Sequence, residues 1–215
     1  MNTEFISALP ADIVLVAVTK NHTSDTIAEV ARAGIGHIAE NRVQEAKHKL
    51  EEIGKCGLTW HLIGHLQTNK VRAAVGIFDV IESVDSIRLM KVLNEEAARI
   101  NKVQDILLQL NLTQEPQKTG FSEEDYREAV ALLPEFANLR VCGLMVIAKD
   151  VDDPEETRPV FRRAKEIFLQ LQRMYPVEVL SMGMTNDYRV AIEEGSTEIR
   201  LGRALFGERD YSIKY

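Results

Sequence analysis

Ile13-Val14-Leu15-Val16-Ala17-Val18-Thr19-Lys20 is an almost unbroken apolar, β-branched run that stops at a lysine. Such a run reads as a strand buried on both faces, as in a parallel sheet covered by helices. Side chains alternate along a strand, so Val14, Val16, Val18 and Lys20 share one face. If that face points inward, Lys20 reaches the rim of the interior. Desolvation disfavours its ammonium form there and turns it toward amine nucleophile chemistry. The plainer alternative is a lysine that leaves the strand and reaches solvent.

Working outward, residues 1 to 12 form at most one helical turn. Thr23 to Ala33 has helical periodicity, with Thr23 or Ser24 as cap and Gly34 as stop. Gly36 to Ala39 reads as the second strand, and Asn41 to Ile53 as a charged amphipathic helix. Thr59 to Ile63 is the third strand, followed by a short helix after Lys70. Phe78 to Glu82 is the fourth strand and Ser86 to Ile100 a long helix. Val103 to Leu110 is the fifth strand. Ser122 to Leu133 opens on a capping-box pattern. Leu139 to Met145 is the sixth strand, and Asp153-Pro154 opens a helix reaching Met174. Val177 to Leu180, a helix over Asp187 to Glu194, and a strand over Thr197 to Leu201 complete the series. Roughly eight βα units predict an α/β fold of the closed (β/α)8 TIM-barrel type. With 215 residues the chain is short for that barrel, so an open parallel sheet stays as the alternative.

Composition narrows the function classes. The chain is 45% hydrophobic and 27% charged, with a formal charge of -7, which disfavours a nucleic-acid surface. No apolar stretch approaches a membrane span, and the N-terminus lacks the pattern of a secretion signal. A cytoplasmic location is expected. Cys56 and Cys142 show no metal spacing and read as reduced packing thiols. His61 and His65 lack a third ligand at a recognisable spacing, so no metal site is expected. His61 reads as a satisfied strand histidine and His65 as a loop residue near the rim. Glu40 and Glu45 read as solvated acids at a helix start, and Lys70 and Arg72 as a solvated face.

The chemistry gathers at strand ends, the functional face of an α/β barrel. Lys20 follows the first strand, Asn41 the second and Gly64-His65 the third. Ser181-Met182-Gly183-Met184-Thr185-Asn186-Asp187 follows the seventh, offering hydroxyls, a glycine and a helix N-terminus to an anion. Helix capping by Thr185 or Asn186 is compatible with that role. Arg200-Leu201-Gly202-Arg203 adds a guanidinium and a bare backbone at the eighth. A nucleophilic lysine with a phosphate cradle on one rim points to pyridoxal 5'-phosphate (PLP). Arg200 is then the candidate partner of the pyridine nitrogen.

These stretches resemble the pyridoxal-phosphate homeostasis protein family, relatives of the alanine racemase barrel. The similarity is carried by Val16 to Lys20, Glu40-Asn41-Arg42-Val43-Gln44-Glu45, His61 to Lys70, Lys118-Thr119-Gly120-Phe121, Gly143-Leu144-Met145, and Ser181 to Thr185 through Gly195 to Gly207. The resemblance implies an alanine-racemase-like barrel and Lys20 as the Schiff-base lysine. It places Met184, Thr185, Gly202 and Arg203 around the phosphate, mainly through backbone N–H groups and the Thr185 hydroxyl. Asn41 would lie near the ring and Arg200 at its nitrogen. Thr185 stands where the family usually has Ser, and Ala39 where it usually has Gly. One PLP-binding domain over residues 1–215, monomeric, is expected.

The resemblance leaves two functions open. One is a PLP carrier in cellular PLP homeostasis with no turnover of its own, whose partners would be PLP-dependent apo-enzymes. The alternative is a PLP-dependent amino-acid racemase. A racemase needs acid/base groups on both faces of the substrate carbon. In racemases of this type a separate domain brings a tyrosine. Here only Tyr211 and Tyr215 in the tail are on hand, which favours the carrier, with no catalytic residue assigned.

Overall fold

The computed structural model describes residues 1, 3–113, 115 and 119–207. Lys118, Tyr211 and Tyr215 lie outside the described residues. The opening run forms β1, Val14–Val18, and seven strands follow in chain order: β2 His37–Glu40, β3 Thr59–Leu62, β4 Val80–Val84, β5 Gln104–Leu110, β6 Leu139–Val146, β7 Val179–Ser181 and β8 Glu198–Leu201. Each pairs in parallel with the next. β1 also pairs with β8, Val14 opposite Glu198 and Val16 opposite Arg200, so the sheet closes into a barrel and the open-sheet alternative is excluded.

The helices are α1 Thr3–Ser7, α2 Ser24–Arg32, α3 Val43–Ile53, α4 Val71–Ile77, α5 Ile87–Arg99, α6 Glu123–Leu132, α7 Arg158–Gln172, α8 Tyr188–Glu193 and α9 Arg203–Phe206. The expected elements fall within two residues of the observed ones, except that the helix expected from Asp153-Pro154 opens with a 3-10 turn, Pro154–Thr157, and becomes α-helical only at Arg158. Ser122 caps α6 by accepting from the Asp125 N–H at 3.1 Å. Thr23 sits at the α2 N-cap position but its side chain makes no capping bond.

The strand wall separates two environments. Ala17, Ile38 and Leu62 point outward into the main core beneath the helices, with Trp60, Phe161 and Phe168. Each fully buried Ile, Leu or Phe among them contributes roughly 1.5–3 kcal/mol. Val16, Val18 and Ala39 point inward and form a small separate cluster with Ile63. Most of the remaining interior is polar, which is unusual for a barrel centre filled by branched apolar side chains. Among the described residues no helix is long and apolar enough to cross a membrane. Cys142 is half-buried, but Cys56 sits exposed in a turn at φ +52°, which corrects its reading as a packing thiol.

Candidate functional site

A cavity of about 550 Å³ opens at the carboxyl ends of the strands, within the size range of small-molecule sites. Lys20, Asn41, Met184, Thr185, Arg200, Gly202 and Arg203 all line it. Lys20 lies two residues past the end of β1, half-buried in a turn. Asn41 follows β2 and is fixed from behind by Gly64. Any side chain at position 64 would collide with the Asn41 carbonyl.

The turn that carries Lys20 is held by a buried charge cluster between β2 and α3. Lys49, 0% exposed, donates to the Thr19 carbonyl at 2.8 Å, Glu40 Oε1 at 2.7 Å and Glu45 Oε1 at 2.8 Å. The Thr19 hydroxyl donates to Glu40 Oε1 at 2.6 Å, and the Asn21 N–H donates to Glu45 Oε1 at 2.6 Å. Both neighbours of Lys20 in the chain are therefore tied to this cluster. Asn21 takes φ +60°, a conformation asparagine tolerates better than most residues. Glu40 and Glu45 are thus buried anchors, correcting their reading as solvated acids. Glu40 is the last residue of β2 and faces outward under α3, where Glu45 and Lys49 pair one helical turn apart. Burial pushes the Glu40 carboxyl up to about 7, against the pull of the Lys49 ammonium.

Beneath the cavity, Arg200 is 3% exposed. It donates from Nη1 to Ser181 Oγ at 2.6 Å and from Nη2 to the Val146 carbonyl at 2.9 Å. Ser181 in turn donates to Glu82 Oε2 at 2.7 Å, and Glu82 lies 3.8 Å from Arg200. Glu82 Oε1 meets His61 Nδ1 at 2.8 Å, and His61 Nε2 meets His37 Nδ1 at 3.0 Å. His61 is satisfied, as expected for a strand histidine. Its pKa is raised: burial alone would lower it, but the bond to Glu82 and the nearby carboxylates outweigh that. Glu82 is held below the usual carboxylate value: burial raises it, and the His61 bond and the Arg200 charge more than offset that. Burial pushes Glu198 up to about 7. His65 is exposed and pairs with Asp85 at 3.0 Å.

The loop after β7 is built around two features. Gly183 takes φ +100°, and a Cβ there would lie 2.7 Å from Ala191 Cβ. Asp187, buried, accepts from the Met184 N–H at 2.6 Å. Burial raises Asp187 above the ordinary carboxylate value. The Met184 N–H is therefore taken within the loop. Among the described residues no protein acceptor takes the N–H of Thr185, Asn186, Arg203 or Ala204. Bare donors thus face the mouth at the turn before α8 and at the first turn of α9. With the buried guanidinium below, this donor set suits a ring compound carrying a phosphate, and Lys20 supplies an amine.

Sequence reasoning missed Lys149, Asp150 and Thr157, which also line the cavity. Lys149 and Asp150 follow β6, so the same strand-end logic that found Asn41 applies to them. Lys49 was legible only as the partner of Glu45 at helical spacing. Met182 packs in the core, fully buried.

The sequence profile described as "Alanine racemase, N-terminal domain" matches residues 2–210. The pyridoxal phosphate homeostasis protein of Aquifex aeolicus (strain VF5) is 41% identical over 199 residues, covering 92% of this chain and 87% of that protein. Its Escherichia coli (strain K12) counterpart is 37% identical over 209 residues, covering 95% and 89%. The solved structure of PipY from Synechococcus elongatus PCC7942 with PLP bound superposes with a TM-score of 0.88 at 39% identity, covering 95% of this chain and 97% of PipY. An alanine racemase from Clostridium difficile 630 superposes at 0.79 with 12% identity, over 96% of this chain and 55% of the racemase, a likeness of fold alone. With a closed barrel, a strand-end lysine and relatives matched over nearly their whole length, the chain belongs to the pyridoxal phosphate homeostasis protein family.

Proposed function

We propose that this chain binds PLP at the carboxyl-terminal mouth of the barrel, attached through Lys20, and serves PLP homeostasis as a carrier without turnover chemistry of its own. The observation that carries the reading is the convergence of Lys20, Arg200 and the bare N–H donors of Thr185 and Arg203 on one cavity. PLP is the molecule bound in the PipY structure, a relative matched over nearly its whole length.

The bound cofactor supplies an aldehyde for an amine to condense with. The residues do the rest. The Lys49 cluster fixes the backbone on both sides of Lys20. Thr185, Asn186, Gly202 and Arg203 would hold the phosphate, Asn41 would border the ring and Arg200 would stand at the ring nitrogen. An arginine is a poor proton donor, so the nitrogen would stay unprotonated and the ring would be a weak electron sink. That supports storage and release over racemisation. Among the described residues the cavity mouth opens to solvent, which suits hand-over to PLP-dependent apo-enzymes. Residues 1–215 act in this reading as one monomeric domain, and the free thiols Cys56 and Cys142 suit the cytoplasm.

The test is the visible spectrum of purified protein with added PLP, for wild type and Lys20→Ala. The wild type should develop an absorption band that borohydride fixes to the chain at Lys20, and the variant should not. A colourless wild type, or an equal band in the variant, overturns the reading. Racemase assays on the loaded protein should show no turnover, and loaded protein should activate an apo-enzyme acceptor.

A further inference from the structure

A second site lies inside the barrel, toward the amino ends of the strands. His37 and Glu198 are the first residues of β2 and β8, and His61 lies within β3. Strand alternation turns all three inward, since His37 shares a face with Ala39, His61 with Ile63 and Glu198 with Arg200. One ligand atom from each side chain falls within 4.8 Å of the others. We propose that His37 Nδ1, His61 Nε2 and a Glu198 carboxylate oxygen form a binding site for a divalent transition-metal ion of the Zn²⁺ class.

Three observations support it. First, His61 Nδ1 is engaged by Glu82 at 2.8 Å. This fixes the tautomer and leaves the Nε2 lone pair facing His37, the carboxylate–histidine arrangement that orients and strengthens metal-binding imidazoles. Second, His61 Nε2 and His37 Nδ1 stand 3.0 Å apart. Two nitrogens on a tetrahedral zinc ion at ordinary bond lengths are separated by about 3.3 Å, so only a slight opening is needed. Third, Glu198 is 3% exposed, and its Oε1 has no hydrogen-bond partner. A buried carboxylate oxygen without a partner is costly, and an ion satisfies it.

A hydrogen-bonded histidine pair alone explains only part of this. One proton between the two rings accounts for the 3.0 Å separation and leaves Glu198 Oε1 orphaned. The orphaned Glu40 Oε2 makes a useful contrast. Its neighbours are the Lys49 ammonium and the Thr19 hydroxyl, so a cation already sits there. At Glu198 the Arg200 charge is shared with Glu82, and the two imidazoles within reach are ligands. Two histidines and one glutamate leave a coordination position open for water, a donor set that suits zinc and cobalt. His37 is only half-buried, which gives an ion a path in from the amino-terminal face.

The test uses the full chain, stripped with a chelator and titrated with Zn²⁺ in equilibrium dialysis and with Co²⁺ in the visible range. Wild type should take up one ion per chain and show the intense absorption of low-coordinate Co²⁺. Glu198→Gln keeps size and polarity, and His37→Gln sits at a half-buried strand start. Each removes a direct ligand and should weaken binding by more than the roughly tenfold to hundredfold that loss of an outer-shell partner costs. Circular dichroism establishes that each variant is folded, and either one that folds decides the matter. No saturable uptake by wild type, weak absorption typical of six-coordinate surface-bound Co²⁺, or equal uptake by the folded variants each overturns the proposal.

Discussion

Two buried charge clusters lie on opposite sides of the strand wall, and they end differently. The outer one joins Glu40, Glu45 and Lys49, and its bonds finish on main chain: the Thr19 carbonyl and the Asn21 N–H. The inner one joins His61, Glu82, Ser181 and Arg200, and its bonds run mostly between side chains. Each sets two buried carboxylates against one basic side chain, with Glu198 as the second carboxylate inside. The outer cluster therefore determines where the backbone around Lys20 goes. The inner one determines the charge that the cavity floor presents. A buried polar cluster reads as a positioning device when it ends on backbone, and as an electrostatic one when it ends at a cavity.

The largest expected effect comes from breaking the outer cluster at its centre. Lys49→Met leaves two carboxylates buried without their cation, a change that costs about 3–5 kcal/mol. Urea unfolding of the cofactor-free chain should show that loss as a lower midpoint. PLP uptake by the folded fraction should slow as well, because the Thr19–Asn21 backbone loses its anchor. A wild-type midpoint would mean that the cluster carries no such load, and the contrast drawn above would fail.

The sequence makes the barrel legible because its elements have clean periods. The β1 run, the Ser122 cap and the regular spacing of strands each follow from local chemistry, and closure needs only the β1–β8 pairing. The strand-end residues were legible for the same reason, since topology alone brings the ends of parallel strands together. The clusters were not. Glu40 and Glu45 look like ordinary acids at a helix start, and only tertiary packing of α3 against β2 buries them with Lys49. His37, His61 and Glu198 come from three strands spread over most of the chain, so no spacing rule joins them. Met184 lines the cavity, but the Asp187 side chain that takes its N–H is three residues on and invisible to a motif.

The pH dependence of stability sharpens the comparison next. Burial, opposed by Lys49, raises the folded-state Glu40 carboxyl from 4.5 to about 7, with Glu45 adding to the rise. The folded chain thus binds more protons than the unfolded chain between those values. The stability Glu40 contributes is fully present below about pH 4.5 and is lost as pH rises through about 7. Glu40→Gln cannot ionise and keeps an oxygen for Lys49 and Thr19 to donate to. Its urea midpoint should therefore gain on that of wild type as pH rises from 5 to 8. Parallel curves for the two proteins would show that Glu40 does not titrate in this window.

A matched pair of hydroxyl deletions gives the finest comparison. Thr19→Val removes one donor to Glu40 at the edge of the outer cluster and keeps the buried shape, while Lys49 still holds both the Glu40 carboxylate and the Thr19 carbonyl. The expected loss is about 0.5–1.5 kcal/mol, that of a single hydrogen bond. Ser181→Ala removes the atom that accepts from Arg200 and donates to Glu82, leaving those groups 3.8 Å apart with no hydroxyl between them. Two bonds to charged groups are lost here against one at Thr19, so about 1.5–3 kcal/mol is expected. The inner deletion should also alter the PLP spectrum, because it removes one of the two hydrogen bonds that hold the Arg200 side chain, whereas the outer deletion should leave the bound spectrum in place. If Thr19→Val shifted the spectrum and Ser181→Ala did not, the backbone cluster would be setting the cofactor's surroundings, and the two clusters would have exchanged roles.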